Sequence, residues 1–540
     1  MHKTPSKAEQ EPRPLAIARP ENRPGAGPDW PGIVRGFVIA FAMTGAPIFL
    51  HLASQAVALL FCAAAALVVA RYLEQDTPIV IFVVNIFQNV FAALVSPHYA
   101  DFADIEVLKS YSLVTTAVCY LVIAYGFMRA PTQFSPFVRR LIYVSVAVLA
   151  IVGVFFVLGL MINPRNATVY LRNIGLPILV FQIFLIVGAK HRLPLPQIAV
   201  VLMALVMLCS YFELFWIEAW LWVTNGWSYL DLFSAKRLLN VDEIKRDMEQ
   251  GVVITSVLDY WRAALLNTTL TNDLGLQVQR LIGPNFNTIS IAYFLAIFIA
   301  FLLSLRYWGV ALLAFPLLLA TSAKGPLALA LGCALFYFFA RDRKSNRPLF
   351  GLIAVLFVYA VSVFVSGHRS GDFHVLGLLG GVSGFLSWPL GHTLGEGGNL
   401  SIPDFSALDW SAFQHAGAAN VAVESAFGAL LYQLGVAAFA LIGFYVWIAL
   451  VCWKLYRATG APALAFAASA LLICLVNGLY QEEAYFVPLS LPFLMGLVGL
   501  SLGATDRALA RRAEAKTAEP LDHPARRRAA TPLTPARAPG

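Results

Sequence analysis

The sequence predicts an all-α integral membrane fold, a polytopic helical bundle of about 12–14 transmembrane helices with two long loops on one side. Three observations carry this reading. Of 540 residues, 59% are hydrophobic and only 13% are charged, and the mean hydropathy is +0.72. A soluble chain with so little charge could not present a polar surface to water. The apolar residues also fall into many separate runs that approach the ~20 needed to cross a bilayer. The ~10-residue alternating segments of a membrane β-barrel are absent.

In chain order the expected spans lie near 33–50, 52–70, 79–95, 111–128, 141–162, 174–188, 196–216, 286–305, 308–321, 325–340, 349–365, 424–452, 463–480 and 485–503. Residues 1–32 are rich in proline and charge and lack the apolar core of a signal peptide. From Asp506 the chain is basic and rich in Pro and Ala, with Arg526, Arg527 and Arg528 in a row. Both tails, 1–32 and 506–540, read as disordered, flanking a membrane domain at 33–505. The distribution of Lys and Arg sets the orientation. With the N-terminus inside, the short inner loops hold thirteen basic residues and the short outer loops four, namely Lys109, Arg165, Arg172 and Lys324. Both tails are then cytoplasmic, and two long loops, about 217–285 and 366–423, lie outside. The first opens with Trp216, Trp220, Trp222, Trp227 and Tyr229, an interfacial aromatic belt. It continues into LNVDEIKRDMEQ, whose mixed charge suggests a surface helix. The net charge of +8 sits in the tails and short loops. That pattern points to topology and anionic lipid rather than nucleic acid.

Basic residues on the outer side are the first functional candidates, because topology disfavours them there. They are Arg165, Arg172, Arg262, Arg280 and Lys324. Arg280 opens RLIGPNFNTISIAYFLA, with Asn285 as the expected cap of the following helix. Lys324 is followed by Gly325 and Pro326, and proline suits a first helical turn. A helix N-terminus with unpaired N–H groups and a cation beside it is an anion site. Guanidinium and ammonium groups there suit a diphosphate, arginine in bidentate fashion. The plainer alternative is a snorkelling cation at the headgroups.

Glu424 opens ESAFGALLYQLGVAAFALIGF at the outer end of an expected long helix, where a carboxylate caps the helix or handles a sugar hydroxyl. His392, His415 and Glu396 share the second loop, and either histidine is a candidate base, His392 being carried forward as a catalytic candidate. Glu482 and Glu483, between the last two spans, are either an acidic partner for the basic site or a solvated turn. Within the bilayer, Asn85, Gln88 and Asn89 form a stripe suited to helix–helix hydrogen bonding, and Glu213 is placed to pair with an outer arginine. All six cysteines lie in apolar runs without metal-ligand spacing, so neither a metal site nor a disulfide framework is expected. No nucleotide-binding or protease motif stands out, and no cofactor is implied.

Four of these stretches, in order, resemble the O-antigen ligase and polysaccharide polymerase superfamily over about residues 217–450. They are Arg280 to Phe294; Thr321-Ser322-Ala323-Lys324-Gly325; Gly391-His392-Thr393-Leu394-Gly395; and Glu424-Ser425 through Gly435. The resemblance implies a metal-independent glycosyltransferase of the bacterial inner membrane acting at its periplasmic face. It would transfer glycan from a polyprenyl-diphosphate-linked oligosaccharide, among membrane lipids and with a chain-length regulator or other export components as further partners. Carried over by position, Arg280 and Lys324 would engage the diphosphate and Glu424 would sit near the acceptor hydroxyl, with Arg262 and Arg172 added as diphosphate ligands on their outer placement alone. Lysine stands at 324 where the superfamily usually has arginine, and glutamate at 424 where ligases typically have histidine. The second departure favours a polymerase of surface polysaccharide or exopolysaccharide over a ligase. A lipid-oligosaccharide flippase is the competing class; it should carry charges deep in its spans.

Overall fold

The computed structural model describes residues 29–100, 102–237, 262–267, 271, 273–401 and 410–518. Helices α1 (Trp30–His51), α2 (Gln55–Tyr72), α3 (Thr77–Val95), α4 (Phe102–Arg129), α5 (Pro136–Leu160), α6 (Pro164–Lys190) and α7 (Leu195–Phe215) run back and forth. Two short helices follow, α8 (Ile217–Val223) and α9 (Gly226–Arg237). A small antiparallel ribbon pairs β1 (Arg262–Ala264) with β2 (Gln277–Gln279). Then come α10 (Thr288–Ser304), α11 (Trp308–Ala320), α12 (Lys324–Phe339), α13 (Arg347–Ser370), α14 (Phe373–Ser387), α15 (Trp410–Ala416) and α16 (Ala426–Leu434). The chain closes with α17 (Ala437–Thr459), α18 (Pro462–Asn477), α19 (Glu483–Phe486) and α20 (Leu491–Ala518).

Local chemistry sets many of the boundaries. Ser135, Asn163 and Asn287 each accept a hydrogen bond from a first-turn N–H of the helix they precede. Gly371 and Gly460 end α13 and α17 in the left-handed conformation. The protein is a multi-pass α-helical membrane protein. Among the described residues, ten helices are long and apolar enough to cross a bilayer, and five more apolar helices have 10–17 residues. Most of the core is formed by α3, α6, α10, α18 and α20. Helices α6 and α20 are the closest pair, because glycines let their backbones meet. A Cβ at Gly499 would lie 2.6 Å from the carbonyl of Phe181, and one at Gly503 2.5 Å from that of Leu185. By contrast, α13 turns Phe350, Val355, Phe357 and Val358 outward, the surface expected of a helix facing lipid.

The structure departs from the sequence-based map at several places. The span expected at 424–452 is two helices, α16 and α17, separated at Gly435. That residue has φ 55°, and a Cβ on it would lie 2.1 Å from the carbonyl of Pro389, so the bend is built into the packing. The loop expected at 366–423 contains α14 and the last turns of α13. The tail expected from 506 starts as helix instead. Asp506 accepts a hydrogen bond from Ser135 at 2.8 Å, and the Arg507 guanidinium donates to the carbonyls of Gly188 and His191, which fastens α20 to the end of α6. At the other terminus, helix begins at Trp30, inside the expected 1–32 tail. The β ribbon is an element that the all-α reading does not contain. The stretch LNVDEIKRDMEQ and most of both tails lie outside the described residues.

Candidate functional site

Chain order alternates the helices between two ends of the bundle. The described parts of the linkers 160–164, 215–288, 320–324, 416–426 and 477–491 therefore meet at one end. The turn carrying Arg280 is the most firmly built of them. The buried Glu213 of α7 accepts hydrogen bonds from the backbone N–H groups of Ile282 and Gly283, both at 2.7 Å. Gly283 has φ +60°, and a Cβ there would lie 2.7 Å from Ile291. The amide stripe of α3 supports the same turn: Asn89 donates to the Asn285 carbonyl at 2.5 Å, and Asn285 donates to that of Asn85 at 3.1 Å. Gln88 instead bonds the carbonyl of Leu108 on α4.

Two expectations are corrected here. Glu213 binds backbone N–H groups, which need an acceptor once buried, and no arginine among the described residues pairs with it. The helix cap is Asn287, which accepts from Ser290 N–H at 2.8 Å, not Asn285. An internal carboxylate thus fills the N–H cradle at Ile282 and Gly283, and Arg280 offers only its side chain to a ligand.

That side chain, partly buried, donates from Nε to the Thr321 carbonyl at 3.3 Å, which ties it to the turn before α12. Ser322 in that turn has φ 56° and donates to the carbonyl of Ala264 in β1. Lys324 is exposed at the start of α12. The residue before it, Ala323, provides no side-chain cap, so the first N–H groups of α12 keep their positive potential. Arg262 is exposed in β1 and pairs across the ribbon with Gln279, the neighbour of Arg280. Three of the four expected phosphate ligands are therefore tied to one knot of chain. Arg172 lies on α6, two residues after Tyr170, and its Nε donates to Asn173 at 3.1 Å.

Carboxylates meet on the other side of this knot. Glu424 has φ 59°, a strained conformation for a residue with a Cβ. Asn399 fixes it reciprocally: the Asn399 side chain donates to Glu424 Oε1 at 3.1 Å and accepts from Glu424 N–H at 2.8 Å. His374 Nδ1 lies 3.9 Å from Glu424 Oε2. The following residues are stitched to the turn before α19, Ser425 donating to the Leu479 carbonyl and Phe427 N–H to that of Gly478.

This stitching brings Glu482 and Glu483 beside Glu424. Tyr170 of α6 donates to Glu482 Oε1 at 3.4 Å. Burial first, then the charges of Glu483 and Glu424, hold the Glu482 carboxyl well above the usual range. For Glu483, burial and the Glu424 charge push the carboxyl up to about 7, while His374 and Arg280 pull it down. Burial lowers the Arg280 pKa, and the Glu483 carboxylate opposes that shift. Buried oxygens of Glu482, Glu483 and Asn477, and the side-chain nitrogen of Gln433, have no hydrogen-bond partner among the described residues. Such concentrations of unsatisfied polar atoms mark places where water or a ligand belongs.

His392 lies elsewhere. Its ring stacks on Tyr432 at 4.2 Å and its N–H binds the Tyr432 carbonyl, near the far end of α16 from Glu424. Among the described residues its partner is Tyr432 rather than Glu424, Glu482 or Glu483. Asn399, His374 and Tyr170 enter the site without having been expected. They are isolated polar residues in loop or apolar surroundings, and nothing in their spacing singles them out. Among the described residues no group of three His, Cys, Asp or Glu side chains is arranged to hold a metal ion. Comparison with known protein families and with curated proteins finds no match.

Proposed function

We propose that this protein is a polymerase of a bacterial surface or exopolysaccharide, working in the inner membrane with both termini cytoplasmic and the Arg280 end at the periplasmic face. In this reading it transfers glycan from a polyprenyl-diphosphate donor to a sugar hydroxyl. One observation carries the reading: hydrogen bonds from Arg280 to the Thr321 carbonyl, from Asn477 to the Gly325 carbonyl and from Ser425 to the Leu479 carbonyl tie the turns that hold Arg280, Lys324, Glu424 and Glu483 together at one end of the bundle. A glycosyl transfer needs both halves. The acceptor oxygen attacks the anomeric carbon, and the bond from that carbon to the diphosphate oxygen breaks. The electron pair leaves with the lipid diphosphate, whose charge Arg280 and Lys324 stabilise. The hydroxyl proton passes to a carboxylate. Glu424, held by Asn399 and the most accessible member of the acidic group, orients the acceptor.

Ligase-type transfer to a lipid acceptor uses the same chemistry and differs only in the acceptor. A flippase is less well supported, because the charges gather at one end of the bundle rather than along its length. The deciding test is the pool of lipid-linked intermediates in a deletion strain complemented with wild type or Arg280→Ala. Accumulated single repeats mean polymerisation is lost, and accumulated full-length lipid-bound polymer means transfer to an acceptor is lost. Unchanged polymer with Arg280→Ala correctly inserted refutes the role of this residue.

A further inference from the structure

We infer that a groove between Trp388 and His392 is a binding site for neutral saccharide, which holds sugar units of the acceptor chain away from the bond that forms. This rests on the transferase reading above and deepens it by naming where the chain is gripped. The groove encloses about 450 Å³ and is lined by Ile162, Ser387, Trp388, Gly391, His392 and Thr393. Ile162 belongs to the linker 160–164, so the groove opens at the same end of the bundle as Arg280 and Glu424. None of the six is an Asp, Glu, Lys or Arg, which sets the groove apart from the cationic turns and suits an uncharged ligand. A pyranose ring presents apolar C–H faces and a rim of hydroxyls. Trp388, 55% exposed, offers an aromatic face to the first. Two acceptors serve the hydroxyls. Exposed Ser387 donates to the Gly384 carbonyl at 2.8 Å, which leaves its oxygen able to accept. His392 Nδ1 lies 3.3 Å from the Tyr432 carbonyl, which can only accept, so Nδ1 holds the proton and Nε2 is an acceptor.

The backbone makes this groove rigid. The last carbonyls of a helix lack partners within it. At the end of α16, His392 N–H donates to the Tyr432 carbonyl at 2.9 Å and Thr393 N–H to that of Gln433 at 3.1 Å. Val436 N–H returns to the Pro389 carbonyl at 2.9 Å. Thr393 is held at φ 78°, a strained conformation for a β-branched residue. Side chains fixed in advance bind without the ordering cost of a mobile loop. The same loop runs on to Asn399, which holds Glu424. Tyr432 follows Glu424 by eight residues, about 12 Å at a helical rise of about 1.5 Å per residue. A glycan whose reacting hydroxyl lies at Glu424 has its further units along α16, where the groove lies. Anchoring at the membrane interface would account for an exposed tryptophan but for neither acceptor.

The test uses the full chain in detergent. Its probe is the repeat oligosaccharide freed by mild acid from the lipid-linked pool of a deletion strain, and calorimetry reads the binding. Wild type is expected to bind it, Trp388→Ala about 10-fold more weakly, and Trp388→Phe within about 3-fold of wild type, all three melting alike. Trp222→Ala, at a tryptophan on α8 that is 78% exposed, should bind as wild type does. With intact lipid-linked repeats, Trp388→Ala should shift the polymer to shorter lengths and Trp388→Phe should restore them. Equal affinity in wild type and Trp388→Ala, or no binding by wild type, overturns the groove as a saccharide site. A Trp388→Ala variant that loses only copurifying phospholipid overturns it too, because the groove is then a lipid contact. Wild type that binds the oligosaccharide through Trp388 yet links no repeats removes the transferase reading and leaves the saccharide site standing.

Discussion

Replacing Glu213 with glutamine isolates the physical role of a carboxylate buried in a membrane helix. In the native chain its two oxygens each receive one backbone N–H, from Ile282 and Gly283, at 2.7 Å. A hydrogen bond contributes about 1 kcal/mol net, and a buried N–H left without an acceptor costs about 1–3 kcal/mol. Glutamine keeps one neutral bond and turns its NH2 toward the second N–H, donor against donor. The expected loss is about 2–4 kcal/mol, concentrated in the turn that carries Arg280. All six cysteines are free and five are buried, so a thiol-reactive fluorophore reports unfolding in detergent directly. We expect Glu213→Gln to label at a clearly lower temperature than wild type and to form polymer more slowly. A variant that melts with wild type and polymerises at the same rate would refute the idea that Glu213 holds this turn.

Other outcomes follow from the same geometry. Gly435→Ala forces a Cβ to within 2.1 Å of a backbone carbonyl at positive φ, so it should destabilise the chain by about 2–4 kcal/mol in the same melting assay. Because the Glu483 carboxyl is raised to about 7, the folded chain holds a proton that the unfolded chain has released between roughly pH 4.5 and 7. Its contribution is therefore fully present at the acid end of that window and is lost as pH rises through about 7. The effect is on the order of 3 kcal/mol, which a melt at pH 5 and pH 8 would detect and Glu483→Gln should abolish. Arg165→Ala removes an ion pair to Glu106 whose side chains are 77% and 43% exposed, so its melting curve should shift by less than about 1 kcal/mol.

Hydropathy made the spanning helices legible because lipid leaves little choice: a backbone in the bilayer must satisfy its own hydrogen bonds. It is silent about where a continuous apolar run bends. The Gly435 break is set by contact with Pro389, far away in sequence, and α14 hides in a glycine-rich stretch that reads as loop. In the site, Arg280, Lys324 and Glu424 stood out because charge at those positions runs against the local pattern. His392 stood out for the same reason, yet it stacks on Tyr432 instead of meeting the carboxylates, and Glu213 serves backbone rather than arginine. Asn399 is an unremarked amide in sequence and becomes the link between Glu424 and Glu482 only through folding. Partnerships of this kind depend on tertiary contact, which single-residue character does not encode.

The length of one helix near the site has a consequence for the surrounding lipid. At about 1.5 Å per residue, the 13 residues of α11 reach only about 20 Å, against a hydrocarbon layer of about 30 Å. Its Leu312 and Leu313 face outward, and its last carbonyls lead directly into Thr321, the anchor of Arg280. Hydrophobic mismatch of that size draws the surrounding leaflet inward. Headgroups are thereby lowered toward Arg280 and Lys324.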